Sequence, residues 1–493
     1  MGAEAGVTTE NRGLADGVLD DLLARARLAE RGGRIGDAQV LLAIVLAELI
    51  ATNHWILEPF AWMARLETAL GEHASAARWL HIGRDLAVQA GHATATFHVD
   101  LALARAAIAA HDLAAAERQL AQIPGAVGPP PPTTGTAERV AAWIAALNLA
   151  GDRPTVAGLR AEAAFTVMEL WCAGGRYRSA LALFAATSDA VGAAAPGARL
   201  AHARLFEAEL WFAAGEIDEA WQRVAAIADL RGPDLVRHAI VALRIAVRGG
   251  RLADARRVAP RLVAPPTDDP ALVGQAAVAR IALLNELNLY EQAHAEAEAA
   301  SAAVMAVAPA SPVRTLLDRA AAATAFRART AVASWELPWV PEQAWRVPEE
   351  LGAAGDPGLI IAHRDRDPWI PLIDAILVAL EAEDLPAARA NRDRLTEVTR
   401  DVESRYIAAR VQVACALVEY HDGGPTAATA QRLRAAADEL GATGARLAEL
   451  QAIRFAAWSA GRLGRDADHR ALAARAIAIT DAIAGELEPG DRT

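Results

Sequence analysis

Apolar residues in this chain fall into helix-length blocks, and the blocks alternate with a short turn of recurring design. The turn opens on Gly or a polar residue, and Ala follows five positions later. Copies run Gly33 to Ala38, Gly71 to Ala76, His111 to Ala116, Gly175 to Ala180, Gly215 to Ala220 and Gly250 to Ala255, with looser versions near Asn288, Asp384 and Gly423. The opening residues of the clear copies are separated by 38, 40, 64, 40 and 35 positions. Strand-type alternation is absent. Each motif lies between two apolar blocks, so each unit is predicted to be a helix–turn–helix hairpin. Gly ends the first helix in a left-handed conformation, and the later Ala lets the second helix pack closely against it.

Internal repetition of this kind decides the fold. In the stretch from Ala208 to Val224, a small residue and an aromatic (Ala208, Trp211) precede the turn, while Ala220 and Val224 follow it. Trp171, Ala180 and Phe184 fill the corresponding places one unit earlier. This pattern resembles the tetratricopeptide repeat, in a degenerate form with units often longer than 34 residues. It resembles the sensor arms of large bacterial transcription regulators more than chaperone-binding modules. The resemblance implies an all-α fold, a superhelical array of antiparallel helix pairs whose concave groove is lined by first helices. It covers residues 14–330 and 373–485.

Two interruptions organise the chain. Residues 124–136, with Pro129 to Pro132 in a row, read as a stiff linker or exposed loop. They fall in the 64-residue interval, where either a repeat has decayed or a helix is inserted. Residues 331–372 carry Trp335, Trp339, Trp345 and Trp369 among Pro338, Pro341, Pro348, Pro357, Pro368 and Pro371. That proline density predicts an irregular insert. The expected order is therefore N-terminal repeats over 14–123, the linker, central repeats over 137–330, the insert, and C-terminal repeats over 373–485.

Composition agrees with helices. Ala, the best helix former, supplies about a quarter of the residues, and aromatics only 5%. A hydrophobic share of 54% suffices for a core along most of the length. The net charge of -12 argues against general binding to nucleic acid or an anionic membrane. All 49 basic Lys/Arg positions are Arg, which fits GC-rich bacterial coding, with selection against reactive lysine amines as the other reading. Cys172 and Cys415 lie in separate helix-patterned surroundings without metal spacing, as free thiols of a reducing cytoplasm do. Residues 1–10 show no signal-peptide pattern, and Gln275, Arg280 and Glu286 interrupt the apolar stretch 271–289. A cytoplasmic location away from membranes is expected.

Catalytic motifs are scarce. No phosphate-cradling glycine loop, zinc-protease His-Glu pair or Gly-x-Ser-x-Gly elbow occurs. His363-Arg364-Asp365 copies part of a kinase catalytic loop without its downstream Asn. No enzyme activity, cofactor or metal is expected. Two features suit binding. Residues 231–261 are rich in Arg, and Arg237, Arg244 and Arg248 stand seven and four residues apart, on one helical face, with Arg251 in the following turn. Such a row can hold a carboxylate, a phosphate or an acidic partner, or it can be a solvated face balanced by neighbouring acids. Trp335, Trp339, Trp345 and Trp369 either seal an exposed repeat end or form an aromatic recognition surface. The leading expectation is a non-enzymatic scaffold or adaptor for a protein or peptide partner, within bacterial signalling or defence. The other is a sensor whose superhelix closes around a peptide or metabolite.

Overall fold

The computed structural model describes residues 16–31, 34–52, 57–69, 72–123, 135–147, 149, 153–194, 198–228, 230, 233–263, 265, 270–307, 313–314, 316–318, 320–321, 324–325 and 369–486. Among them the only extended regular structure is helical, as the repeat pattern implies. Internal contacts divide the chain into two units, Met1–Pro129 with Asn148–Gly151, and Pro130–Leu147 with Asp152–Thr493.

The first unit stacks helices in pairs: α1 (Asp16–Arg31) on α2 (Ile35–Ala51), α3 (Leu57–Ala69) on α4 (His73–Gln89), and α5 (Ala93–Ala109) on α6 (Leu113–Ala121). Its core is built from Leu42, Leu46, Leu49, Phe60, Met63, Leu80, Phe97, Leu101 and Ile108, all essentially removed from solvent. One charge lies inside it. Asp100 is fully buried and accepts a 2.6 Å hydrogen bond from Arg84 Nε. Burial pushes its carboxyl above the usual range, and Arg84 opposes that push.

The second unit begins with α7 (Ala137–Ala146), an added helix that packs on the next pair and fills the long interval between repeats. The central pairs follow: α8 (Arg153–Ala173) with α9 (Tyr177–Ala194), α10 (Ala198–Ala214) with α11 (Ile217–Ala225), α12 (Pro233–Arg248) with α13 (Leu252–Val258), and α14 (Pro270–Glu286) with α15 (Tyr290–Val307). The C-terminal pairs are α16 (Trp369–Glu381) with α17 (Leu385–Val398), α18 (Arg405–Gly423) with α19 (Ala427–Ala442), and α20 (Arg446–Arg462) with α21 (Asp466–Glu486). Central and C-terminal arrays thus belong to one unit, although the insert between them was expected to part them.

The turn motif does what its composition implies. His111, Gly175, Gly215, Gly250, Asn288 and Glu383 all take φ between 56° and 86°. At Gly175, its own N–H reaches the Cys172 carbonyl and the Arg176 N–H reaches Trp171, which satisfies two carbonyls of the ending helix; the same pair recurs at Gly215 and Gly250. The Ala five positions on is completely buried at Ala38, Ala76, Ala116, Ala180, Ala220 and Ala255, and again at Ala293 and Ala388. Further left-handed turns at Gly91, Gly444 and Gly464 escaped the motif, because their fifth positions hold Thr96, Glu449 and His469.

Glu383 carries a side chain in this left-handed geometry, a conformation that costs about 1–2 kcal/mol for residues other than glycine. Glu383→Gly is expected to raise stability by about 0.5–1 kcal/mol, once the larger unfolded-state entropy of glycine is offset. Urea denaturation midpoints of the two proteins check this, and a lower midpoint in the variant would refute it.

Candidate functional site: the seam of helix ends

Three central turns, at Gly175, Gly215 and Gly250, meet the C-terminal array end-on. The contacts satisfy backbone groups that helix termini leave open. At the start of α9, the Glu403 carboxylate accepts the Ser179 backbone N–H and the Ser179 hydroxyl, each at 2.8 Å. Glu403 in turn donates its own N–H to the Gly175 carbonyl at 2.8 Å. At the start of α11, the Ile217 N–H donates to the Thr443 carbonyl at 2.8 Å. Past the end of α12, Arg446 donates to the Gly249 carbonyl at 2.9 Å and the Gly250 carbonyl at 2.7 Å, and it also pairs with Glu486. An acid therefore caps a helix start and a guanidinium caps a helix end, the signs that helix dipoles favour.

Charges and rings join these caps. Glu216 receives Arg178 at 2.9 Å and Arg405 at 3.3 Å, and Arg405 also binds Glu439. Glycine is required where the backbones touch. A Cβ at Gly215 would stand 2.5 Å from the Tyr406 nitrogen, and Val402 lies as closely as 3.1 Å to the Cβ position of Gly175. Ile483 is an apolar plug, buried with Leu252 and Ala255 and flanked by Leu447 and Ile479.

The predicted arginine row does not form one open face: Arg248 and Arg251 lie at this seam, whereas Arg237 is near the opposite end of α12. Arg244 is buried, at 7% exposure. The Arg248 guanidinium stands 4.5 Å from the Phe212 ring centroid and 4.7 Å from that of Tyr406. Arg251 binds Asp218 at 2.7 Å beside the Trp221 ring, and Arg237 binds Asp234 at 3.0 Å. The expectation of a common solvent-facing row is corrected: the helical spacing was right, but α18 covers part of the face. Trp369 is a buried first residue of α16, which corrects the irregular reading of residues 369–372. Pro371 fits there because first-turn N–H groups have no partner within the helix. Trp335, Trp339, Trp345 and the His363-Arg364-Asp365 triplet lie outside the described residues.

Sequence reasoning missed Glu403, Thr443 and Arg446. No local pattern marks them, since Ser179 and Glu403 are 224 positions apart. It also missed a slot of about 460 Å³ between α19 and α21, floored by Ala456 and Ala460. Three of its rim charges are paired, Arg434 with Asp468 at 3.7 Å and Asp438 with Arg475. On α2, Val40 and Ile44 are exposed although Leu42, Val45 and Leu46 are buried, so that helix is apolar on two sides. Burial pushes the Cys415 thiol up, opposite to the direction that activates a thiolate. Among the described residues no helix is long and apolar enough to cross a membrane, and no His/Cys/Asp/Glu group has the arrangement of a metal site.

Hydrogen bonding to Arg405 holds the Glu439 carboxyl below its ordinary range, and Arg446 does the same for Glu486. Carboxylates depressed on folding contribute stability above the unfolded value of about 4.3, and that contribution is lost as pH falls through their folded values. Thermal unfolding followed from pH 6 to pH 3 should therefore show the melting temperature dropping below about pH 4.3. The drop should shrink in Glu486→Gln. An identical acid profile in that variant would remove Glu486 from the effect.

No protein-family model and no curated protein matches the chain. Among solved structures, it is similar to a Rap protein complexed with competence and sporulation factor, at 10% identity and a TM-score of 0.45, over 79% of this chain and 99% of that one. It is also similar to the APC/C hetero-tetramer Cut9-Hcn1, at 11% identity and a TM-score of 0.40, over 94% of this chain and 72% of that one.

Proposed function

We propose that the chain is a non-enzymatic scaffold or adaptor that binds a partner protein through its helical-repeat surface, as a regulatory component of bacterial signalling or defence in the cytoplasm. The observation that carries this reading is the stacking itself. Each hairpin packs chiefly on its sequence neighbours, so added repeats extend the surface instead of enclosing a reaction chamber. Assignment of a job to that surface rests on what repeat architectures offer, since a fold hosts many functions. Affinity purification of the full chain from its native host, with mass spectrometry of what co-elutes, tests the proposal. A reproducible, stoichiometric protein partner is expected, and its absence from repeated purifications would overturn the scaffold reading.

A second reading, a sensor for a peptide or metabolite, is favoured by the seam. Two arrays of one unit held together end-on provide an element whose position a ligand can bias. Its mark would be a co-purifying small molecule or peptide whose addition changes protection at Ser179 and Ile217.

A further inference from the structure

We infer that the C-terminal array, α16–α21, is a latched arm that opens from the central turn row as one body, ahead of global unfolding. Neighbouring hairpins elsewhere in the unit pack side by side along their helices, whereas the seam is made of helix ends. Its fastenings are the Glu403 cap on α9, the Thr443 carbonyl on α11, the Arg446 cap past α12, the Arg405–Glu216 pair and the Arg248 guanidinium over Tyr406, with Ile483 as an apolar plug flanked by Leu447 and Ile479. Opening the seam breaks these contacts and leaves each hairpin's own backbone ladder intact. Polar caps exchange their partners for water, so breaking them costs far less than breaking a hydrogen bond with nothing to replace it. Sub-global openings of this kind occur where cooperative units meet through few buried apolar contacts.

Three amides report on the latch alone. Ser179 and Ile217 lie in the first turns of their helices, where an N–H has no acceptor within the helix. Glu403 lies between helices. In the closed state each is bonded across the seam, to Glu403, Thr443 and Gly175 respectively. Their protection therefore measures seam opening, while Ala242 in mid-α12 and Ala414 in mid-α18 measure loss of the helices themselves.

Hydrogen exchange on the full-length protein, resolved to single amides, tests the inference. Ser179, Ile217 and Glu403 should exchange through one shared opening with a common dependence on low urea, at least ten-fold faster than Ala242 and Ala414. Arg446→Ala, which removes the α12 cap, should accelerate all three by one common factor of at least ten, with Ala242 and Ala414 accelerated by no more than that factor and remaining the slower set, because the cap is absent from the globally unfolded chain as well. Exchange of the three at the mid-helix rate in the unaltered protein would mean that the seam opens only by global unfolding. Acceleration of one amide without the others would reduce the effect to local fraying. Either result overturns the arm as a single body, and the first requires no variant to fold.

Discussion

Gly215→Ala is expected to destabilise the second unit by about 2–5 kcal/mol, and Gly464→Ala by only about 1–2 kcal/mol. Both glycines are left-handed, at φ 86° and 68°, so both substitutions incur the steric cost of a side chain in that region. They differ in what surrounds them. Nothing lies within 4 Å of a Cβ built at Gly464. At Gly215 the new atom would meet the Tyr406 nitrogen at 2.5 Å and the Tyr406 Cβ at 2.9 Å, and backbone at that distance cannot rotate aside. The start of α18 must retreat, which also strains the Arg405–Glu216 pair and the Glu403 cap. Overpacking of this kind adds about 1–3 kcal/mol to the conformational cost. Urea unfolding of the two variants separates the contributions, because the strain common to both cancels in the comparison. Equal losses would show that the C-terminal array does not press on this turn.

The same glycine shows how far the sequence could be read. Gly215 and Ala220 announce a hairpin because local geometry needs a residue without a side chain and then a small one, and both needs recur at a fixed spacing. That Ala is fully buried at every clear copy of the motif, so the repeat and its helix pairing were legible. The additional reason for glycine at position 215, close approach by Tyr406, leaves no periodic trace. Glu403 and Arg446 are likewise ordinary charged residues until the chain returns to the central turns. Charge spacing behaved similarly: seven and four residues placed Arg237, Arg244 and Arg248 on one face, but whether that face meets water depends on α18. Trp369 was grouped with the insert by composition alone, whereas a proline two residues into a helix is compatible with its first turn.

Arg248→Glu is expected to cost more than about 3 kcal/mol, against less than about 0.5 kcal/mol for Arg257→Glu. The Arg248 guanidinium lies over Phe212 on its own array and over Tyr406 on the C-terminal one, so it bridges the seam through two ring faces. Cation–π contacts are worth about 0.5–2 kcal/mol each, more when water is excluded. A carboxylate in that place loses both and faces the negative side of each ring, with a further desolvation cost of about 1–3 kcal/mol. Arg257 is 78% exposed and its pair with Asp254 is a surface contact, which contributes little. Melting temperature and partner binding should be measured on both variants. A steep loss of melting temperature in Arg248→Glu alone identifies this arginine as a tie between arrays. If melting is unchanged while binding of a purified partner falls, Arg248 is instead a ligand contact, and the arginine row regains the role its spacing suggested.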